Sequence, residues 1–190
     1  MPWWSSFLIA LALIISFPFI RFLFKRISLL FKVKSFCKKQ GVILHKTSTF
    51  WYLGVRNGGG CNFYIETPNK IYSVKLFPTL KKQSCVHFLD NRRYYIEKFM
   101  VLFGSWGASV KFSFKSRVKK LNEINFKHKF NTEWNAKPLV PVLLINPICE
   151  KVQLENGDTN QIICDGDTVF ETYVFGLKGL IKEIIKDIKR

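Results

Sequence analysis

From Trp3 to Ile20 the chain has no charged side chain, and Phe7, Leu8, Ile9, Leu11, Leu13, Ile14, Ile15, Phe17, Phe19 and Ile20 are all strongly apolar. In a bilayer those ten side chains favour insertion by roughly 3 to 6 kcal/mol. Carried on through Phe22, Leu23 and Phe24, the run reaches about 22 residues, enough to span a ~30 Å hydrocarbon core. Trp3 and Trp4 stand where an interfacial aromatic belt would place them, and Pro18 lies near the other end, where a kink is cheap. Residues 1–24 are therefore expected to form a single N-terminal transmembrane helix.

The flanks set the expected orientation. No charge precedes the run, whereas Arg21, Lys25, Arg26, Lys32, Lys34, Lys38 and Lys39 lie at or beyond its end. The excess of Lys and Arg puts that side in the cytoplasm and the N-terminus outside. A cleaved signal peptide would need a positive start and a small-x-small cleavage site, and neither is in place. Residues 25–41 read as a basic juxtamembrane helix. Leu23, Ile27, Leu30 and Phe31 recur at helical spacing, Arg21, Lys25, Lys32 and Lys39 fall on another face, and Gly41 is a helix stop. These seven basic residues are the membrane-surface candidates, each worth about 1 kcal/mol near anionic headgroups.

Charge is graded along the chain. Residues 1–60 hold nine basic residues and no acid, residues 61–137 hold fifteen and five, and residues 138–190 hold six and eight. Such a field attracts anions: phospholipid headgroups, nucleic acid or an acidic protein. The five cysteines (37, 61, 85, 149 and 164) are odd in number and widely spaced with no C-x-x-C pair, which excludes a disulfide framework or a zinc ribbon. They read as small buried apolar residues.

Residues 42–190 read as one domain with short apolar runs separated by turn residues. Strands are expected at Val42–His45, Phe50–Val55, Cys61–Glu66, Ile71–Phe77, Val86–Leu89 and Tyr94–Val101, with a hairpin turn at Thr67 to Lys70. Val110, Phe112 and Phe114 alternate with Lys111, Ser113 and Lys115, which predicts a strand with its rings inward and a basic outer face. Residues 116–138 read as a basic loop or poorly formed helix. Leu139–Ile145 is the strongest strand, and Asn156-Gly157 and Asp165-Gly166 mark turns. Leu177, Leu180, Ile181, Ile184, Ile185 and Ile188 form one stripe of an amphipathic C-terminal helix. The expected fold is α+β (or α/β): a mixed β-sheet flanked by helices, preceded by the transmembrane segment, with nineteen Phe supplying an aromatic-rich core.

Phosphate-binding loops, dinucleotide fingerprints, metalloprotease helices and nucleophile elbows are all absent from the sequence. His45, His87 and His128 share no metal-ligand spacing. Asp158, Asp165, Asp167 and Glu171 could hold a hard cation, but Asp165-Gly166 reads first as a turn. Residues Gly59 to Ile65, then Thr67-Pro68, then Ile71 to Lys75 resemble the core of nuclease-related domains of the restriction-endonuclease-like superfamily. In that family an Asp opens one strand and a Glu-x-Lys follows on the next, and the carboxylates hold a divalent cation while the Lys positions the attacking water. Here the Asp position is Asn62, the Glu position is Ser73, and Lys75 alone is kept. The resemblance thus implies a degenerate fold kept for binding, with Lys75 and Glu66 the residual catalytic candidates.

The expected function is a non-enzymatic membrane-tethered scaffold that takes no cofactor or metal. Lys111, Lys115, Arg117, Lys119 and Lys120 would engage anionic lipid or an acidic partner. Nucleic acid is the rival ligand, through a nuclease-like domain.

Overall fold

A computed structural model describes residues 3–46, 61–77, 84–89, 92–103, 109–121, 137–146, 151–156 and 159–189. The Phe50–Val55 strand, the turn at Asn57 to Gly60, Asp158, His128, Cys149 and residues 122–136 of the basic segment lie outside the described residues. Helix α1 runs without interruption through Trp3–Gln40, 38 residues, or about 57 Å. It crosses the expected boundary between anchor and juxtamembrane helix without a break. Among the described residues no helix is long and apolar enough to cross a membrane. Most side chains of the apolar run fall outside that set.

Gly41 ends α1 as expected. Its φ of +68 is the left-handed conformation that glycine adopts without a Cβ penalty. The Val42 amide then turns back to donate to the Cys37 carbonyl at 3.0 Å, and both side chains enter the same core, the arrangement of a Schellman cap. The buried face of α1 is Leu29, Leu30, Val33 and Cys37. It is rotated from the expected stripe, because Phe31 is 65% exposed.

Two mixed sheets replace the single one expected. The first has the order β1-β2-β3-β8-β12-β11, from Ile43–Lys46, Phe63–Glu66, Ile71–Leu76, Leu139–Leu144, Thr172–Phe175 and Thr168–Val169. The second runs β10-β9-β4-β5-β6, with β7 also paired to β5. Its strands are Thr159–Ile162, Lys151–Asn156, Ser84–Leu89, Arg93–Phe103, Ser109–Lys115 and Lys119–Lys120. Within the first sheet β3, β8 and β12 are parallel, while β1, β2 and β3 form an antiparallel meander. Each parallel connection leaves the sheet, contributes strands to the second sheet, and returns.

Each face of the first sheet has a defined cover. Phe63, Ile65, Tyr72, Val74, Leu76, Val142, Leu144 and Phe175 point to the helices and meet Leu29, Leu30 and Val33 of α1 with Leu180 and Ile184 of α2 (Leu177–Ile188). Leu143, Ile145 and Val174 point the other way and pack with Val86, Phe88, Tyr94, Ile96 and Val152 of the second sheet. The first sheet is thus the middle layer, with burial on both faces, and β8 ends in a continuous apolar run for that reason.

Pro141 sits inside this central strand without breaking it. The Ile71 amide donates to Pro138 and the Phe77 amide to Leu144, whereas the Ile145 amide donates to Phe175. Even-numbered residues of β8 therefore face β3 and odd-numbered ones face β12. Ladder pairing with β12 begins only at Val142, so the missing donor of Pro141 falls before the ladder starts. The β11–β12 turn, Phe170-Glu171, has φ of +51 and +62, a left-handed pair in two bulky residues that is strained. An edge-on contact between Phe170 and Phe88, 6.3 Å between centroids, helps hold it.

Candidate functional site

Among the described residues, polar and charged side chains concentrate in several places. The positions carrying the nuclease resemblance are brought together. Asn62, Tyr64, Ser73 and Lys75 share the face of the β2–β3 hairpin that turns away from the helices, because residues alternate along each strand and Tyr64 pairs with Ser73. All four are buried, Lys75 to 4% exposure. Asn62 is structural: its side-chain oxygen accepts from the Leu76 amide at 2.8 Å, while its own amide donates to the Val74 carbonyl at 2.8 Å. Burial pushes the neighbouring Cys61 thiol up, against hydrogen bonding from Tyr64 and Ser73, so it stays protonated and unreactive. None of the five residues is a carboxylate.

Glu66 and Lys75 do not converge. Glu66 pairs with Ile71 at the far end of the hairpin, four residues or about 13 Å along the strand from Lys75. Glu66 instead holds the Lys137 ammonium at 2.7 Å and the His45 ring at 2.8 Å. Lys137, with His45 in support, keeps its carboxyl below the usual range against the opposing effect of burial. The fold thus places the two catalytic candidates, Lys75 and Glu66, apart.

On the outer face of the second sheet His87 is fixed between two carboxylates. Its Nδ1 lies 2.6 Å from Glu155 and its Nε2 3.2 Å from Glu97. The Tyr95 hydroxyl donates to Glu155 at 2.7 Å, and its ring stacks on the imidazole at 4.4 Å. Lys115 sits 5.3 Å over that ring. In the sequence His87 shares no metal-ligand spacing with His45 or His128, and nothing near it marks a cluster. Its partners are 10 and 68 residues away, and only strand pairing unites them. The cluster clamps β9, β4 and β5 together.

The predicted anion-binding residues fall on the β6–β7 edge. Lys115, Arg117, Lys119 and Lys120 are exposed, and Lys111 lies on β6. Phe112 and Phe114 share the face of Tyr94 and Ile96, as the alternation predicts, yet they are 44% and 55% exposed. β6 is the outermost strand, so its inner face extends past the cover. On α1, Lys25, Lys32, Lys34, Lys38 and Lys39 are exposed, Arg26 is half-buried, and Arg21 is on the helix.

Sequence reading missed a cavity of about 610 Å³ between α2 and the helix-facing side of the first sheet. Lys178, Lys182 and Lys186 stand along one wall, and Tyr72, Tyr173 and Phe175 form the other. The i, i+4, i+8 spacing of the lysines was the available signal. Asp165 closes one end. Its carboxylate accepts from the Gly176 amide at 2.6 Å over the start of α2, a favourable place for negative charge. At the other end of α2, Asp187 is 3% exposed, accepts from the Thr67 hydroxyl at 2.5 Å and lies 3.9 Å from Lys70. The expected acidic cluster is therefore divided: Asp165 serves α2, and Asp167 accepts from the Cys164 amide at 2.7 Å within its own turn. Cys37, Cys61 and Cys85 are buried, whereas Cys164 is exposed and departs from the buried-cysteine expectation. No family model, curated protein or solved structure matches this chain.

Proposed function

We propose that this protein is a membrane-tethered binding domain, with the first part of α1 as the anchor, the N-terminus outside, the folded domain in the cytoplasm, and the β6–β7 edge resting on anionic headgroups. The observation that carries this reading is the composition of that edge. Phe112, Phe114 and Val118 are 44%, 55% and 53% exposed and interleave with exposed Lys115, Arg117, Lys119 and Lys120. Water rewards exposure of the cations alone; a bilayer interface accepts the rings at the acyl boundary and the cations at the phosphates. The tether is supported by Trp4, Phe17, Ile20, Phe24 and Phe31, exposed by 55%, 64%, 42%, 70% and 65% along one helix. Large apolar side chains crowded on one exposed helix mark a surface meant for an apolar partner.

The test is hydrogen exchange of the full chain in nanodiscs. Residues 109–121 should be more protected in anionic than in neutral lipid. Adding 0.5 M salt, or the Lys119→Glu/Lys120→Glu pair, should remove the difference, since ~2 kcal/mol is lost at about 1 kcal/mol per basic residue. Equal protection in both lipids sinks the reading.

A second reading is a degenerate nuclease-like domain that binds nucleic acid. It is favoured by Asn62, Ser73 and Lys75 lying on one buried face. Protection of 109–121 by DNA instead of lipid, or Mg²⁺-dependent cleavage lost in Lys75→Ala, would put it first.

A further inference from the structure

The cavity beside α2 carries three features that folding alone leaves unexplained. First, Lys178, Lys182 and Lys186 are exposed on successive turns of one helix face, and among the described residues none of them forms an ion pair. Like charges at that spacing repel one another. With Lys70 they set four cations against Asp165 and Glu183 in the cavity wall, and the Asp165 carboxylate is already bound to the Gly176 amide.

Second, Tyr72 is 1% exposed and its hydroxyl has no hydrogen-bonding partner among the described residues, although the residue lines the cavity. A buried hydroxyl left in that state is costly, and a polar atom reaching it from the cavity would recover the cost. Burial, followed by the nearby Asp187 and Glu183 carboxylates, pushes the phenol up, so it is a neutral hydroxyl able to donate. Third, Tyr173 is 39% exposed and lies nearly parallel to Phe175, 6.2 Å between centroids and 15° between planes. Both rings line the cavity, and a flat group entering it would meet an aromatic wall.

We propose that this cavity binds a nucleotide-class phosphate ester, with Lys178, Lys182 and Lys186 taking the phosphate, Tyr173 stacking the base, and the Tyr72 hydroxyl donating to a polar edge of the bound molecule. The volume suits such a ligand, since small-molecule pockets run from about 300 to 1,000 Å³. Lysine ammoniums serve phosphate as point charges, and every base has a π-face that an aromatic ring can stack on. The site lies on the opposite face of the first sheet from the second sheet and its β6–β7 edge. It therefore stands independently of the membrane reading.

The full chain in detergent micelles would be titrated calorimetrically with adenosine and guanosine monophosphates, inorganic phosphate and inositol trisphosphate. The expected result is saturable binding of a nucleoside monophosphate, at least tenfold tighter than inorganic phosphate or inositol trisphosphate. Lys182→Glu should weaken it at least tenfold and Tyr173→Ala severalfold. Tyr72→Phe keeps the ring and removes the unpaired hydroxyl. Its melting temperature without ligand should hold or rise while nucleotide binding weakens severalfold, a combination that a purely structural tyrosine would not give. Absence of saturable nucleotide binding at millimolar concentration, equal affinity for inositol trisphosphate, or indifference to both Lys182→Glu and Tyr72→Phe overturns the proposal.

Discussion

Glu66 shows how a single side chain in this protein is fixed by groups that sequence distance conceals. It bridges Lys137, 71 residues on, and His45, 21 residues back, tying β2 to β1 and to the start of β8. Its carboxyl lies below its ordinary value of 4.5 in the fold, chiefly through Lys137. The stabilisation is therefore present above that value and lost as pH falls through the lower folded one. Glu66→Gln should destabilise the chain by about 1–2 kcal/mol at pH 7, and the gap to the parent should close in acid, as pH falls through the lowered folded value. Urea denaturation at pH 7 and in acid checks this; a gap that persists in acid shows that packing, not charge, is lost. Gly41 is the contrasting residue. Its role was readable because a left-handed helix end needs a residue without a Cβ. Nothing local announced Lys137 as the partner of Glu66.

At the scale of elements, α2 was legible because its stripe of Leu and Ile has helical period over its whole length, and Leu180 and Ile184 occupy the core as expected. Gly179 was not legible. A Cβ there would lie 2.6 Å from the Asp165 Oδ2, and that carboxylate cannot swing aside without leaving the Gly176 amide. Gly179→Ala gains up to about 1 kcal/mol of helix propensity but meets an overpacking cost of about 1–3 kcal/mol. A net loss near 1 kcal/mol is expected in thermal melts, and a stabilised variant would mean that the turn at Asp165 moves freely. The β11–β12 hairpin escaped sequence reading for a definite reason. Its turn residues, Phe170 and Glu171, hold left-handed conformations that usually announce themselves as Asn-Gly or Asp-Gly. Phe112 and Phe114 show another limit: alternation assigns a side chain to a face, but whether that face is covered depends on where the strand lies in its sheet.

Across the whole molecule, the proposed arrangement is a domain held with a preferred face toward a bilayer, argued from the basic excess near the N-terminus and the apolar start of α1. Alkaline carbonate extraction of membranes containing the full chain should leave it in the pellet. Recovery in the supernatant would remove the tether and leave α1 as a helix with exposed rings still to be explained. Architecture at this scale was only partly readable. Helices at both chain ends and a mixed strand pattern between them were anticipated. The division into two sheets was not, because a strand buried on both faces has the same apolar run whether a helix or another sheet covers it.

The sequence by itself determined the local terms: the long apolar opening of α1 and its stop at Gly41, the β2–β3 hairpin, the β8 strand, the amphipathic α2, and the charge gradient. Each follows from side-chain period, backbone freedom or net charge within a short window. Only the tertiary structure decided which strands share a sheet, that Lys75 and Glu66 lie apart, that His87 joins Glu97 and Glu155, and that Tyr72, Tyr173 and the α2 lysines line one cavity. Those outcomes depend on β3, β8 and β12 running parallel after long excursions, and such pairings depend on packing between distant segments, for which a local window holds no signal.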